Sequence, residues 1–555
     1  MTKIFKTMRS LSVLCLLSGL LVACADYNVT DDFTAEPDPT YVEPYKDLAP
    51  VKTYINRIEY PNLSLGATLK VADFNKQELA HAAAVTNFDN IAFGASLMSG
   101  TIVNGKGVMN FIDMKDLLDH VQEIGGEVFG SPIVANANQA DDWLAMLTAP
   151  IEIPVDYVEE KTVNFNEMPV GAYTGTIENE KGKASIVKYD NQNVLQISPQ
   201  SNVRIIEGFE VNHLAKYTTT FYARADKNIT FDINFSGNPV PGTGANDKWP
   251  LKKDKWTKIV VEAQSPEGVT DGFLRIETAR GITINIQKVQ VGYYPDNHRP
   301  QTDQEVKDTI NYALNAWCDG LMKINVGRIK SFDLIDEAID SKSTLDNGMY
   351  DLKHSTEKVF WQDILGSENY GPAVSKSASS AYTNYGGNPE LLKFFISETG
   401  LENPKMMESL NYWINIWTNN GAKIDGINAK VNLSYSEDEA TLETYKATLK
   451  KLLEDLALTG KFIRLSNFDI RYQDATGAYV AADKITTAQR QKLADYYAYV
   501  INRYMSIIPN DKQAGICKGN MADTSDPVGL WSVSKSKDWV RTATYKAFCD
   551  ALSGQ

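Results

Sequence analysis

The chain has 555 residues, more than a single hydrophobic core usually holds, so its length predicts at least two domains. Hydrophobic residues make up 43% of it and charged residues 23%, which is the composition of a globular protein and excludes a disordered or fibrous one. The formal net charge of -15 disfavours nucleic acid and anionic membrane surfaces as partners and suits a neutral ligand.

The N-terminus has the pattern of a secretory signal. Three basic residues precede an apolar run at residues 11–22, which is too short to span a membrane and ends in small residues before Cys24. A cysteine at this place resembles the bacterial lipobox, in which the thiol is acylated and becomes the first residue of the mature chain. The alternative is a plain signal peptide with an incidental cysteine. We expect a lipoprotein signal peptide at residues 1–23 and a lipid anchor on Cys24 that holds the protein at the outer membrane, on the cell surface.

The pattern of the chain changes twice after the signal. Residues 24–50 are acidic and contain proline, which predicts a flexible tether. From 51 to 150, short apolar strands alternate with helical stretches such as MKDLLDHVQEIG, and this alternation returns from 299 to 555. Between them, from 151 to 298, alternating strands such as NITFDINFSG and WTKIVVEA predict an all-β domain. We therefore predict an α/β protein, a (β/α)8 TIM barrel with a β-sandwich (jelly-roll) domain inserted in a βα loop.

Cysteine and histidine residues indicate neither a disulfide framework nor a metal site. Cys15 lies in the predicted signal peptide, and Cys24 follows it directly. The other cysteines are Cys318, Cys517 and Cys549, which are scattered along the chain. The five histidines do not occur at the spacing of metal ligands. We expect no metal and no cofactor.

Four segments of the chain carry a family resemblance. SFDLIDEAI resembles the W-D-V-V-N-E-A strand of glycoside hydrolase family 10, the endo-β-1,4-xylanases, and KIDGINAKVNLS resembles its I-D-G-I-G-x-Q-M-H-I-S. FIRLSNFDI is similar to V-R-I-S-E-L-D-M, and DPVGLW is similar to E-P-V-G-L-W. The β-rich domain is similar to carbohydrate-binding modules found in the same loop of some gut Bacteroidetes xylanases. The resemblance implies the barrel fold and a β-1,4-linked plant glycan, xylan first, as the ligand.

The resemblance also implies where catalysis would occur. Family members cleave with retention by means of two carboxylates about 5–5.5 Å apart. Glu337 holds the acid/base position, and Asp336 stands where the family has an asparagine that contacts the sugar. The nucleophile position falls on Asn467. An amide cannot form the glycosyl ester, because its nitrogen lone pair is delocalised and its oxygen carries no full charge, so the retaining mechanism lacks its attacking group.

Most residues that surround the sugar in the family are replaced in this chain. The glutamine and histidine of the Q-M-H strand correspond to Lys430 and Asn432, and the H-T-L-V-W-H stretch ends in Asn136. The N-D-Y-N segment is placed at residues 383–386. The candidate ligand-binding residues of the barrel are therefore Trp531, Tyr385, Asp336, Lys430, Asn432 and Asn136.

Two alternative sources of a catalytic carboxylate stay open. Asp469 lies on the same strand face as Asn467 by the period of two, although the family motif has an aspartate there with a structural task. Asp333 and Asp336 lie near Glu337 and are candidates for an inverting pair with a water molecule, although no sugar-positioning residues remain around them.

Sugar binding by the β-rich domain requires an exposed aromatic ring, because aromatic faces stack on sugar rings. Trp249 lies in the loop NDKWPLKK and is the candidate of this domain. Trp256 opens a strand and is expected in the core. Trp413 and Trp417 have i,i+4 spacing and are expected to pack in the outer layer of the barrel.

The leading hypothesis is a cell-surface lipoprotein that captures a β-1,4-linked, xylan-like glycan on a catalytically degenerate barrel, for use by hydrolases and transporters. The second hypothesis is a weak or altered endo-β-1,4-glycanase that uses Glu337. The third is a structural subunit that docks on an outer-membrane glycan transporter and binds no sugar. The expected partners are polysaccharide, the membrane through the lipid anchor and such a transporter, and not nucleic acid.

Overall fold

The structure is a computed structural model that describes residues 44–295, 297–535 and 537–554. The predicted signal peptide, the predicted lipid attachment site Cys24 and most of the predicted tether lie outside these residues. No helix in the described ranges is long and apolar enough to cross a membrane. The chain divides into two compact units, of which one comprises the chain up to Thr148 and from Asp303 onward, and the other Ala149–Thr302.

The first unit contains a closed barrel of eight parallel strands. The strands are β1 Leu65–Thr68, β2 Asn90–Ala92, β3 Glu127–Gly130, β4 Ile329–Asp336, β5 Lys393–Thr399, β6 Gly426–Lys430, β7 Phe462–Ser466 and β8 Gln513–Lys518. Each strand pairs with the next, and β8 pairs with β1, so the barrel sheet is closed. The predicted (β/α)8 barrel is confirmed.

Helices and short strand pairs surround this barrel. The α-helices are Val71–Asn75, Leu79–Asn87, Ser99–Ile102, Ile112–Glu123, Asp141–Thr148, Asp303–Asn325, Trp361–Leu365, Ser367–Asn384, Pro404–Asn419, Glu439–Leu458, Thr487–Ile507 and Ala543–Leu552. Short 3-10 turns lie at Val51–Tyr54, Gly94–Leu97 and Asn510–Lys512. The short strand pairs are Ile339–Thr344 with Tyr350–Leu352, Leu433–Ser436 with Ile470–Gln473, and Trp531–Val533 with Trp539–Arg541, and Val134–Ala135 pairs with β4.

Local sequence signals explain where several of these elements begin and what they bury. Helix Pro404–Asn419 starts with proline at its first turn, where no backbone N–H is needed, and the Asn403 side chain caps it by accepting from an N–H of that turn. Trp413 and Trp417 on the same helix are 3% and 1% exposed, because their i,i+4 spacing places both on the face towards the core. Strand β5 is buried at five consecutive residues, as expected for a parallel strand that is covered on both faces.

The second unit consists of two antiparallel sheets. One sheet contains Asn202–Glu210, Asp271–Glu277, Ile229–Phe235, Asn238–Val240 and Trp249–Leu251. The other contains Thr257–Ala263, Tyr217–Ala225, Ile284–Tyr293, Gln192–Ile197, Ala184–Tyr189, Gly171–Ala172 and Val158–Val163. Ile151–Glu152 and His298–Arg299 form a separate pair, and short 3-10 turns lie at Phe165–Glu167 and Ala245–Asp247. Every second residue of Tyr217–Ala225 is buried, and the buried residues of both sheets form one apolar cluster.

Candidate functional site

A cavity of about 470 Å³ opens at the carboxyl ends of the barrel strands. Its lining includes Asp333 and Asp336 from β4, Glu337 directly after β4, Lys430 at the end of β6, and Asn467 directly after β7. Loops at this end of a parallel barrel are where polar side chains from different strands converge. The structure therefore brings the two positions predicted for catalysis into one cavity.

Both of these positions have a left-handed backbone conformation. The φ angle is 45° at Glu337 and 53° at Asn467, a region that costs most non-glycine residues about 1–2 kcal/mol. Asparagine tolerates it better than most residues, and the Asn467 amide donates to the Val431 carbonyl at 3.3 Å. The backbone N–H of Glu337 donates to the Ser397 carbonyl at 2.8 Å, and the Glu337 carbonyl accepts from Lys353 Nζ at 2.6 Å. These contacts hold both strand ends in the turned conformation.

Lys430 joins the two carboxylates at the end of β4. Its ammonium lies 2.5 Å from Asp336 Oδ1 and 2.9 Å from Glu337 Oε1. Burial by itself lowers the pKa of Lys430, but the charges and hydrogen bonds of the two carboxylates outweigh burial and raise the pKa above its ordinary value. A general acid has to present a proton to the leaving oxygen, whereas the Glu337 carboxylate accepts a hydrogen bond from a cation.

Asp333 lies below these groups, inside the barrel. It is 6% exposed, and Asn428 Nδ2 donates to its two oxygens at 3.1 and 2.9 Å. The pKa of Asp333 is raised to about 7, chiefly because the group is buried and secondly because the charge of Asp336 is near. The inverting pair considered from the sequence would require Asp333 and Asp336 to share a water molecule, but Asp336 pairs with Lys430 instead. Both carboxylates are thus occupied by protein groups.

Asp469, the other candidate for a replacement carboxylate, compensates a buried charge. Its carboxylate accepts from the Lys518 ammonium and from the backbone and side-chain N–H groups of Asn520, at 3.2 and 2.7 Å. The Lys518 side chain is 0% exposed and also donates to the carbonyls of Phe468 and Val528, both at 2.9 Å. Asp469 therefore has a structural task, because a buried ammonium without its carboxylate is strongly unfavourable.

Tyr385, predicted as a ligand-binding residue, lies outside the lining of the cavity that contains Glu337 and Asn467. It follows helix Ser367–Asn384, outside the strands, and its hydroxyl donates to Asp319 at 2.8 Å. Because this helix precedes β5, residues 383–386 cannot stand at the carboxyl end of that strand. The residue that does is Glu398, which is 1% exposed and accepts from two backbone N–H groups. Burial raises the pKa of Glu398 to about 8 against the opposite effect of these hydrogen bonds.

Three more predicted barrel residues are outside the lining of this cavity. Trp531 is 5% exposed and packs on Trp539 and Tyr545, with ring centroids 5.7 and 5.3 Å apart, so it belongs to the core. The Asn136 side-chain oxygen accepts from Gln362 at 3.1 Å. Asn432 is exposed and lines a neighbouring cavity of about 350 Å³. Of the candidate ligand-binding residues, only Asp336 and Lys430 line the cavity that contains Glu337 and Asn467.

Arg464 is a functional candidate that sequence reasoning missed. It is 1% exposed, its guanidinium carbon lies 3.9 Å from the centroid of the Phe129 ring, and it lines the cavity from below. In the described part of the chain no carboxylate forms an ion pair with it. The sequence signal that could have identified Arg464 is its position inside the apolar strand FIRLS. Arginine is seldom fully buried, so its presence there suggests a specific role.

The two tryptophans of the second unit reverse the sequence-based expectation. Trp249 is 8% exposed, and its indole N–H donates to the Val240 carbonyl at 3.1 Å, so it is largely buried although it borders a groove of this unit. Trp256, expected in the core, is only half-buried. The difference arises because Trp249 pairs opposite Phe231 in the sheet, whereas Trp256 precedes an edge strand.

Comparison with known proteins agrees with this fold. Residues 294–548, which include β4 to β8, match the model of glycosyl hydrolase family 10. Xylanase B from Clostridium stercorarium F9 is similar in structure, with 10% identity and a TM-score of 0.51 over 91% of this chain and 100% of that chain. A GH10 endoxylanase from a sugarcane soil metagenome is similar with 9% identity and a TM-score of 0.50, over 91% and 100%. No curated protein sequence matches the chain. At these identities the likeness shows the fold alone.

Proposed function

We propose that this protein binds a polysaccharide on its barrel and does not hydrolyse it. The observation that carries the proposal is the chemistry of the two catalytic positions. Asn467 offers an amide where a retaining glycosidase needs a carboxylate to attack the anomeric carbon. Glu337 accepts a hydrogen bond from Lys430 at 2.9 Å, so the second carboxylate is also engaged.

A β-1,4-linked, xylan-like glycan is the proposed ligand. The similar structures are xylanases by name, and the family match covers β4 to β8, five of the eight strands that line the cavity. The cavity of about 470 Å³ falls in the range of sites for small ligands, which are roughly 300–1,000 Å³. Ser466, Asn467 and Asn428 in its lining supply hydroxyl and amide groups that suit the hydroxyls of a neutral sugar.

The proposed location is the outer surface of the cell, with the chain anchored through Cys24. This rests on the basic start, the apolar run and the small residues before the cysteine. Acyl chains contribute about 0.8 kcal/mol for each buried methylene, so more than one chain anchors a protein stably. At that location the protein would hold glycan near hydrolases and a transporter of the outer membrane.

One observation favours a second function, a weak endo-glycanase. The Glu337 carboxylate is 37% exposed and lies in the cavity lining, where a sugar oxygen can reach it. Hydrolysis would then proceed without a glycosyl ester, because no second carboxylate in the cavity lining is free of a protein partner.

The two functions differ in what happens to the glycan. Purified protein that begins after Cys24 is incubated with xylan and mixed-linkage β-glucans, and reducing ends are measured beside affinity electrophoresis on the same glycans. We expect retarded migration without release of reducing ends. Release that disappears in Glu337→Gln and persists in the exposed control Glu357→Gln would overturn the proposal. Lack of retardation on every glycan would indicate a structural subunit that binds no sugar.

A further inference from the structure

From a groove in the second unit, we infer that this unit binds a glycan that carries carboxylate groups, as uronic acid residues do. The inference rests on the proposed function, in that it assumes a polysaccharide ligand, and it names the class of that ligand. The groove has a volume of about 630 Å³ and runs beside the edge strand Thr257–Ala263. Its lining includes Lys252, Lys255, Trp256 and Lys258, and also the largely buried Trp249.

The groove carries a charge opposite to that of the whole chain. Residues 243–258 contain five lysines and two aspartates, whereas the chain has a net charge of -15. Lys252, Lys255 and Lys258 are exposed, and none of them forms an ion pair within the described residues. A carboxylate or another anion is the natural partner of such lysines.

No neighbouring carboxylate in the described residues forms an ion pair with these three lysines, and three such carboxylates are bound by other cations. Asp254 pairs with Arg224 at 2.9 Å. Glu262, on the edge strand itself, pairs with Lys216 at 2.5 Å. Across the loop, Lys248 and Asp232 form a pair of their own at 2.7 Å. The positive charge along the groove therefore has no internal partner among these groups and is available to a ligand.

Trp256 supplies the surface that selects a sugar among anionic ligands. It is half-buried, and its ring meets that of Tyr189 edge-on, with centroids 6.1 Å apart. The Tyr189 ring is itself covered by the Arg224 guanidinium, 4.7 Å from its centroid, so the indole is held from one side. Tyr222, which is 42% exposed, pairs across the strands with Lys258. Aromatic rings beside ammonium groups suit a pyranose ring that bears a carboxylate.

Protection of a sheet edge does not account for the whole cluster. Charged side chains on edge strands prevent pairing with other chains, and Lys258 lies on such a strand. Lys252 and Lys255 precede the strand and line the groove instead. Two of the three uncompensated lysines thus have no role in shielding the edge.

The test compares glucuronoxylan with the same polysaccharide after its carboxyl groups have been reduced to alcohols. Affinity electrophoresis and calorimetry use the full chain after Cys24. We expect the wild-type protein to bind the native polymer on the order of 10-fold more tightly than the reduced one at low salt, because three exposed charge pairs supply a difference of this size. This preference should fall as salt is added. Lys252→Gln, Lys255→Gln and Lys258→Gln together should abolish that preference and retain binding of the reduced polymer. Trp256→Ala should weaken binding of both.

The matched control changes three exposed barrel lysines, in the triple variant K106Q/K307Q/K376Q, and should retain the full preference. The melting temperature of each variant reports folding. Equal binding of both polymers by the wild-type protein, or an unchanged preference in the groove variant, overturns this inference and leaves the proposed function intact. Binding of neither polymer overturns the proposed function itself. Binding of anionic lipid vesicles or DNA without preference for the carboxylated glycan identifies another class of ligand and overturns the inference.

Discussion

Replacement of Asp469 by asparagine should destabilise the barrel strongly, because it removes the one charge that, within the described residues, pairs directly with the fully buried ammonium of Lys518. The Lys518 side chain is 0% exposed, and the carboxylate of Asp469 is its one ion-pair partner within the described residues. Burial lowers the pKa of Lys518, and the charge of Asp469 opposes that shift. The change Asp469→Asn keeps the size of the side chain and removes the charge.

The structure sets the size of the expected effect. Breaking a buried ion pair by removing one partner costs about 3–5 kcal/mol. Lys518 keeps its contacts with the carbonyls of Phe468 and Val528 at 2.9 Å and with the Tyr497 hydroxyl at 3.2 Å, and the asparagine oxygen can still accept from it. We therefore expect a loss at the lower end of that range, about 3 kcal/mol.

Urea denaturation of the barrel, followed by tryptophan fluorescence and circular dichroism, measures this loss. The matched control is Asp483→Asn, since Asp483 pairs with Lys484 at the surface, where both side chains are about three-quarters exposed, at 74% and 75%. The control should change stability little, because exposed ion pairs contribute little.

The double change Asp469→Asn with Lys518→Met should recover part of the loss by removing the uncompensated charge. If Asp469→Asn is no more destabilising than the control, the charge-compensation argument is wrong.

Three further predictions concern residues at the carboxyl ends of the barrel strands. Asn467→Glu alone should release no reducing ends from xylan, because Lys430 still pairs with Glu337; turnover above the wild-type level would contradict this. Lys430→Gln should weaken glycan binding measured by calorimetry, because the Lys430 ammonium holds the carboxylates of Asp336 and Glu337 in place; unchanged or tighter binding would contradict this role. Glu398 has a native pKa raised to about 8 from 4.5, so the native state binds more protons than the unfolded state between these values, and stability falls as pH rises through that window. Glu398→Gln should flatten that fall in urea titrations from pH 4.5 to pH 8, and an unchanged slope would refute the assignment.

The sequence by itself determined the architecture and the two strand ends that matter most. Alternating apolar periodicity and the order of the motifs predict a (β/α)8 barrel, and these signals are local, because each strand or helix carries its own pattern. The resemblance of SFDLIDEAI and FIRLSNFDI to two motifs of the glycoside hydrolase family implies the positions of Glu337 and Asn467, and both residues line the cavity at the carboxyl ends of the barrel strands. The expectation that the retaining mechanism is lost rests on the identity of Asn467 at the position that the resemblance implies for the nucleophile, because an amide cannot act as a nucleophilic carboxylate.

Only the tertiary structure decided which side chains are available to a ligand. Trp531 and Trp249 are buried, and Trp256 is half-exposed, because burial depends on strand pairing and on neighbours distant in sequence. Lys430 pairs with carboxylates more than 90 residues earlier in the chain, and Asp469 pairs with a lysine 49 residues later. Such contacts leave no local pattern, because a parallel barrel brings together the ends of strands separated by whole helices. The uncompensated lysines beside Trp256 likewise became apparent once the structure paired the neighbouring carboxylates with other cations.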